Sequence, residues 1–310
     1  MIAMPADPAM HTHVPRHHRR RRARATSFCT ALAALGMFAG LILPVRVHAD
    51  DGIGGCESAS SDCVAVGHWN FSLALGAGLR TNPLVGGKDI PLVVIPQVSY
   101  YRERFFIDNL DLGFTLLDAG ANALNLIATP GYDRVFFYRA DPQNLFIGFP
   151  GGAAGPGAPV SVPPGTPGAV KAPRAPRITY LAGPEWTYGQ GGVSGQLDLL
   201  RDATGQNSGA EIRGALRLAL LESQGTLSAN VGFTWKSAAT VDYYYGVPGA
   251  YSGAAAFDPF VRLGYTLPLK GAWRIDAFAE YERLGHGIAA SPLVDGHGVA
   301  TVFMGAVRAF

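Results

Sequence analysis

The stretch FTWKSAATVDYYYGV, Phe233 to Val247, decides the reading of this chain. It joins the end of a strictly alternating segment to a turn crowded with three consecutive tyrosines. Leu227, Ala229, Val231, Phe233 and Trp235 fall on one side; Ser228, Asn230, Gly232, Thr234 and Lys236 fall on the other. A period of two means a β-strand, because successive side chains point to opposite faces. Large apolar groups on one face and small polar groups on the other suit a strand of a lipid-embedded barrel, with the tyrosines at a membrane interface. The same apolar face fits the core of a soluble sandwich equally well, so one strand leaves the choice open.

The flanking sequence repeats the pattern. Trp69, Phe71, Leu73, Leu75, Ala77 and Leu79 alternate with His68, Asn70, Ser72, Ala74, Gly76 and Gly78. Further segments place Glu211, Arg213 and Arg217, then Arg262, then Arg274, Asp276, Glu280 and Glu282 opposite an apolar face. Charges thus recur on one face only. Three features favour a barrel over a sandwich. The segments run to about ten residues, long enough to cross a bilayer at a tilt. Aromatics gather at segment ends, at Tyr100 and Tyr101, Phe105 and Phe106, Phe136 to Tyr138, Trp186 and Tyr188, and Tyr243 to Tyr245. The chain stops on an aromatic, Phe310, as outer-membrane barrels do to reach their assembly machinery, although Arg308 stands where a second aromatic is usual. On this reading, recognition rests on Phe310, Phe303 and the apolar face between them.

The N-terminus sets the compartment. Arg16, Arg19 to Arg22 and Arg24 precede an uncharged apolar run, Phe28 to Leu43, too short to span a bilayer, and Val47-His48-Ala49 supplies the small residues of a cleavage site. Residues 1–49 are therefore expected to be a cleaved secretory signal. They hold seven Arg and one Asp, which leaves 18 Lys+Arg against 22 Asp+Glu and a net charge of −4, where the whole chain carries +2. The basic block thus belongs to export, and no nucleic-acid partner is expected. Beyond the signal no apolar run approaches a spanning helix, so membrane insertion requires a closed barrel, which satisfies every backbone hydrogen bond in lipid.

At this point the resemblance becomes specific. YYRERFFIDNLDLGFTLLD (Tyr100 to Asp118), AGPEW (Ala182 to Trp186), FTWKSAATVDYYYGV and SPLV (Ser291 to Val294) resemble the MipA/OmpV family of MltA-interacting outer-membrane proteins. The most discriminating block comprises Trp235, Lys236, Ser237, Tyr243, Tyr244, Tyr245 and Gly246. The resemblance implies a barrel in the cell outer membrane. For some members it also implies a scaffold holding a murein lytic transglycosylase beside a bifunctional murein synthase. Other members are associated with adhesion or with responses to salt and drugs, so a small-solute channel and a surface adhesin or stress-response barrel stay open.

One insertion interrupts the similarity. Between Pro150 and Pro176, Gly and Pro make up 14 of 27 residues, a composition that neither holds a core nor pairs as a strand. It reads as an extracellular loop, with Lys171, Arg174 and Arg177 available to lipopolysaccharide. Cys56 and Cys63 remain after signal removal, an even pair expected to form a small disulfide loop in an oxidising compartment. Ile53-Gly54-Gly55-Cys56 faintly resembles a lipidation site, but Asp50 and Asp51 separate it from the apolar run.

Enzymatic constellations are thin. His68 and Ser72 share one face of the first segment, and Asp295 stands near His297, yet no nucleophile motif surrounds any serine. No catalytic role, metal or cofactor is expected. The resulting expectation is an all-β chain: signal 1–49, periplasmic segment 50–67, and a closed antiparallel up-and-down transmembrane barrel over 68–310. Twelve strands are expected, with ten the alternative, near 68–79, 90–101, 103–116, 122–128, 134–139, 177–188, 193–201, 209–221, 225–236, 257–267, 272–283 and 298–310. Arg213, Arg217, Lys236, Arg262, Arg274, Asp198, Glu211, Asp276, Glu280 and Glu282 are expected to line a lumen filled by salt bridges rather than a wide pore.

Overall fold

Alternation with period two is realised as a sheet that closes on itself. The computed structural model describes residues 67–138, 141–145, 176–222 and 224–310. The expected signal 1–49, the segment 50–67 with Cys56 and Cys63, and the insertion 150–176 lie outside the described residues, apart from Gly67 and Pro176 at their ends. Twelve strands follow in chain order: β1 (Trp69–Arg80), β2 (Ile90–Tyr101), β3 (Phe105–Asp108), β4 (Asp111–Ala119), β5 (Asn122–Pro130), β6 (Tyr180–Gln190), β7 (Val193–Asp202), β8 (Ala210–Glu222), β9 (Thr226–Lys236), β10 (Ala256–Pro268), β11 (Trp273–Arg283) and β12 (Gly298–Ala309). Each pairs antiparallel with its chain neighbours, and β1 meets β12 from Ser72 opposite Ala309 to Arg80 opposite Thr301, which leaves no free edge at the seam.

The outward face explains why the barrel belongs in lipid. Val231, Val261, Leu263, Val302 and Met304 are 46–61% exposed at the middle of β9, β10 and β12. A continuous apolar exterior of this kind is costly in water and favourable in hydrocarbon. Aromatics mark both rims. Trp69 lies 5.0 Å from Tyr100 at one end, and Phe233 stacks 5.1 Å from Phe257 at the other. An even-stranded antiparallel barrel with an apolar exterior and aromatic girdles is an outer-membrane barrel. No helix among the described residues is long and apolar enough to cross a membrane; the crossing falls to the strands.

Twelve strands agree with expectation in number but not in allocation. The segment expected at 103–116 is split into β3 and β4 by a turn at Asn109, whose φ of 54° lies in the left-handed region that Asn tolerates. Its side-chain oxygen accepts from Val98 N (3.0 Å) and its own N–H donates to Val98 O (2.7 Å), so this turn residue completes the ladder of β2. The segment expected as a strand at 134–139 is instead a 3-10 helix, Tyr132–Phe136, followed by a second at Pro142–Leu145. Because β3 is only four residues long, β2 pairs with it only from Ser99 to Tyr101, and the second 3-10 helix packs against β2 beyond that point. Pro96 lies within this lightly paired stretch, where a strand tolerates a residue that cannot donate.

With one exception the turns sort by length. On one side they are short: residues 102–104, 120–121, 191–192, 223–225 and 269–272. On the other side the connections 81–89, 131–179, 203–209, 237–255 and 284–297 are long and carry helices α1 (Ala238–Tyr245) and α2 (His286–Ala289), while the two-residue turn 109–110 after the short strand β3 is the exception.

Candidate functional site in the lumen

The polar face of β9 ends in Lys236, and the chain then turns back over the mouth of the barrel. Ser237 caps α1: its hydroxyl accepts from Thr240 N (3.4 Å) and also from Ala210 N at the head of β8 (2.9 Å). The helix brings Val241, Tyr244 and Tyr245 onto Val135, Phe136, Leu284, Ile288, Val294 and Val299, a buried apolar cluster across the long-loop end. The tyrosine triplet expected at the membrane interface is therefore an internal plug, with Tyr245 fully buried. Phe136, also expected to mark a strand end, belongs to the same plug.

Polar contacts pin it. Lys236 Nζ lies 2.8 Å from Asp133 Oδ1 and 3.1 Å from Asp258 Oδ2. The Tyr245 hydroxyl donates to Asp133 Oδ1 (2.7 Å), and Gly285 N donates to Asp258 Oδ1 (2.7 Å). The Tyr244 hydroxyl bonds to Thr179 Oγ1 (2.8 Å), Tyr243 OH accepts from Arg177 N (2.9 Å), and Ser291 Oγ donates to Tyr245 O (2.6 Å). Arg134 is ion-paired with Asp141 in the adjoining turn. Burial pushes the Tyr245 hydroxyl well above its ordinary value, and the nearby Asp133 charge pushes the same way; it stays a proton donor at any physiological pH. Gly246 is required because a side chain there would put its Cβ 2.4 Å from Asp242 O. Trp235, by contrast, faces outward from β9. From Lys236 onward, the residues of FTWKSAATVDYYYGV thus build one closure with the Ser291–Val294 turn.

Below the plug the lumen holds a cavity of ≈ 690 Å³. Its charges are largely paired. Arg213 bonds to Glu211 (2.9 Å), Arg262 lies 3.3 Å from Glu280 and 3.8 Å over the Phe278 ring, and Arg80 lies 3.9 Å from Glu282. Arg274, lower on β11, bonds to Asp276 (2.8 Å) and to Gln97 Oε1 (3.1 Å). Arg217 points inward, opposite Ser194 of β7 and Asn230 of β9. Opposite these cations, Asp108, Asp111, Glu185 and Asp198 form no ion pair among the described residues. Glu185 and Asp198 are cross-strand neighbours, and both accept from Gln196 Nε2, at 2.9 Å and 3.0 Å. The interior is not polar throughout: Ala74, Ile90, Leu92, Ile95, Phe278, Phe303 and Val307 fill it between β1, β2, β11 and β12.

Phe303 therefore does not share a face with Phe310. It is 3% exposed inside the lumen, whereas Phe310 is 72% exposed outside, flanked by Arg308, whose guanidinium lies 5.2 Å from the Phe310 ring. An odd separation of seven residues forces the two rings to opposite faces. The enzyme-like residues are not assembled. Ser72 Oγ donates to Gln97 Oε1 (2.6 Å), and His68 is exposed. His286 opens α2, and among the described residues no group of three or more His, Cys, Asp or Glu is placed to hold a metal ion.

The polar residues that matter most to the plug, Asp133 and Asp258, are not among those the sequence leads one to expect in the lumen. Asp258 carried a usable signal, since it sits on the polar face of the alternating run Phe257 to Leu267. Asp133 carried none, because it lies in a connection whose direction no period reveals.

Comparison with known proteins gives a family-model match over residues 73–310, described as MltA-interacting protein MipA. No curated protein matches the chain. Among solved structures, an outer membrane channel from Pseudomonas putida F1 is similar at 10% identity and a TM-score of 0.39, covering 83% of this chain and 100% of its own. A loop-deletion mutant of OmpT, an outer membrane protein of Vibrio cholerae, shares 10% identity at a TM-score of 0.33, covering 78% and 99%. An anion-selective porin from Comamonas acidovorans shares 10% at 0.31, covering 78% and 98%. Likenesses of that degree carry nothing about activity.

Proposed function

Because the chain belongs to the MltA-interacting protein MipA family, matched over residues 73–310, we propose that this outer-membrane barrel is a non-enzymatic scaffold that holds a murein lytic transglycosylase beside a bifunctional murein synthase. The observation that carries the reading is the pinned plug. A barrel whose mouth is closed by a buried ion-pair cluster is built to persist as a body in the membrane rather than to pass solutes. In this reading the short turns and the segment 50–67, with a Cys56–Cys63 disulfide, face the periplasm and meet the murein enzymes. The long loops face outward toward lipopolysaccharide, and the outward-facing Phe310 serves the barrel-assembly machinery. Residues 1–49 are removed as a signal.

Affinity capture from periplasmic extract, paired with recording in a planar bilayer, tests the assignment. Retention of a lytic transglycosylase or a murein synthase without steady conductance is the expected result. The charged cavity of ≈ 690 Å³ favours a second reading, a small-solute channel; steady conductance without those partners would establish it instead. Sidedness is checked separately. In a background with Cys56 and Cys63 replaced by serine, Ala250→Cys in a long loop should react with an impermeant maleimide on intact cells. Lys270→Cys in a short turn should react only after the outer membrane is broken, and the reverse result inverts the topology.

A further inference from the structure

We propose that the lumen below the plug is a binding pocket for a small dipolar solute, one carrying an ammonium group and a carboxylate, of which a short peptide is the simplest case. The inference does not rest on the scaffold reading. The pocket is blind at the long-loop end, where Glu211, Lys236 and Thr240 are 7% exposed or less, and it opens toward the short turns, where the inward-facing Ser194 and Arg217 are exposed. Its volume of ≈ 690 Å³ falls in the range that encloses a small organic ligand.

At the blind end two carboxylate oxygens lack donors. Glu211 and Asp133 both line the cavity and are each 2% exposed, yet Glu211 Oε1 and Asp133 Oδ2 have no hydrogen-bond partner. A buried carboxylate oxygen left without a donor is costly, and an incoming ammonium supplies what is missing. Asp111 and Asp198 line the same space without an ion pair and add attraction for a cation. The entrance has the opposite character. Arg217 lines it with no hydrogen bond or ion pair among the described residues, and a guanidinium suits a planar carboxylate. Between the two ends, Gln196, Asn230 and Thr187 offer neutral donors and acceptors to an amide backbone. A simple anion is disfavoured, because seven carboxylates against five cationic side chains line the cavity, a formal balance of −2. A simple polycation is disfavoured by Arg217 at the mouth.

Titration calorimetry on the full-length barrel in detergent, at low salt, tests the pocket with the dipeptide lysyl-glutamate and with the same dipeptide acetylated at its α-amine and amidated at both carboxylates. Saturable binding of the free dipeptide is expected. Arg217→Ala should weaken it about tenfold or more, as expected for a lost charged hydrogen bond, while leaving the blocked form unchanged. Asp111→Asn should weaken both forms, since each keeps the lysyl side-chain ammonium. Retained heat-modifiable migration on gels certifies that each variant is folded, and Asp198→Asn replaces Asp111→Asn if the latter is not. Absence of saturable binding, equal binding of free and blocked dipeptide, or affinities untouched by the folded variants would each overturn the proposal.

Discussion

Replacing Lys236 by methionine is expected to open the barrel. The change leaves Asp133 and Asp258, 2% and 0% exposed, as two buried carboxylates without a cation. Removing one partner of a buried pair typically costs about 3–5 kcal/mol, most of it the stranded charge. Against that the plug sets its apolar cluster and the hydrogen bonds of Tyr243, Tyr244 and Ser291, carried on an eight-residue helix, a four-residue helix and their turns. Local release is cheaper than unfolding, because the strand ladders are untouched. In a planar bilayer the variant should conduct ions steadily where the parent does not, while both still migrate faster on a denaturing gel when unboiled. The double variant Lys236→Met/Asp258→Asn should conduct less than the single one, since one of the two stranded charges is gone. A Lys236→Met barrel as silent as the parent would mean that apolar packing alone holds the plug.

Gly183→Val should prevent a folded barrel from forming. A Cβ at this inward position of β6 would lie 1.9 Å from Leu199 O on β7, a backbone atom that cannot rotate away. The two strands approach so closely here that relief requires separating them between the Ala182–Arg201 and Glu185–Asp198 pairs. The expected penalty exceeds the roughly 1–3 kcal/mol of ordinary overpacking, because main chain rather than side chain must move. The fast-migrating unboiled band should disappear, with Gly183→Ala showing a smaller loss in the same direction. Parental amounts of that band in Gly183→Val would show that β6 and β7 tolerate a wider spacing.

The strands were legible because a lumen with polar groups on one side and lipid on the other imposes period two, and β1 and β7 to β11 carry it plainly in the sequence. The break at Asn109 was read through, although FFIDNLDLGF changes phase there: Asp108 and Asn109 stand side by side, and the apolar positions move from Phe105 and Ile107 to Leu110, Leu112 and Phe114. Phe136 and the tyrosine triplet misled for a shared reason. Aromatics favour both a membrane interface and a packed interior, and composition does not distinguish the two. Only closure of the barrel shows that the chain beyond Lys236 folds inward. The apolar interior around Phe278 and Phe303 was hidden in the same way, because a residue facing a lumen meets whatever the opposite wall presents.

Lys236 also guards the alignment of the sheet. A slip of one residue along β9 would turn every side chain of that strand to the other face, and Lys236 with it, into hydrocarbon. A lysine on the lipid side costs up to about 2–4 kcal/mol, falling toward the rim. The same slip would also strip Asp133 and Asp258 of their shared cation. Three segments of the chain thus agree on a single register, and a misaligned sheet forfeits both contacts of Lys236 at once. The lysine therefore acts as a key that accepts one threading of the strands and rejects its neighbours.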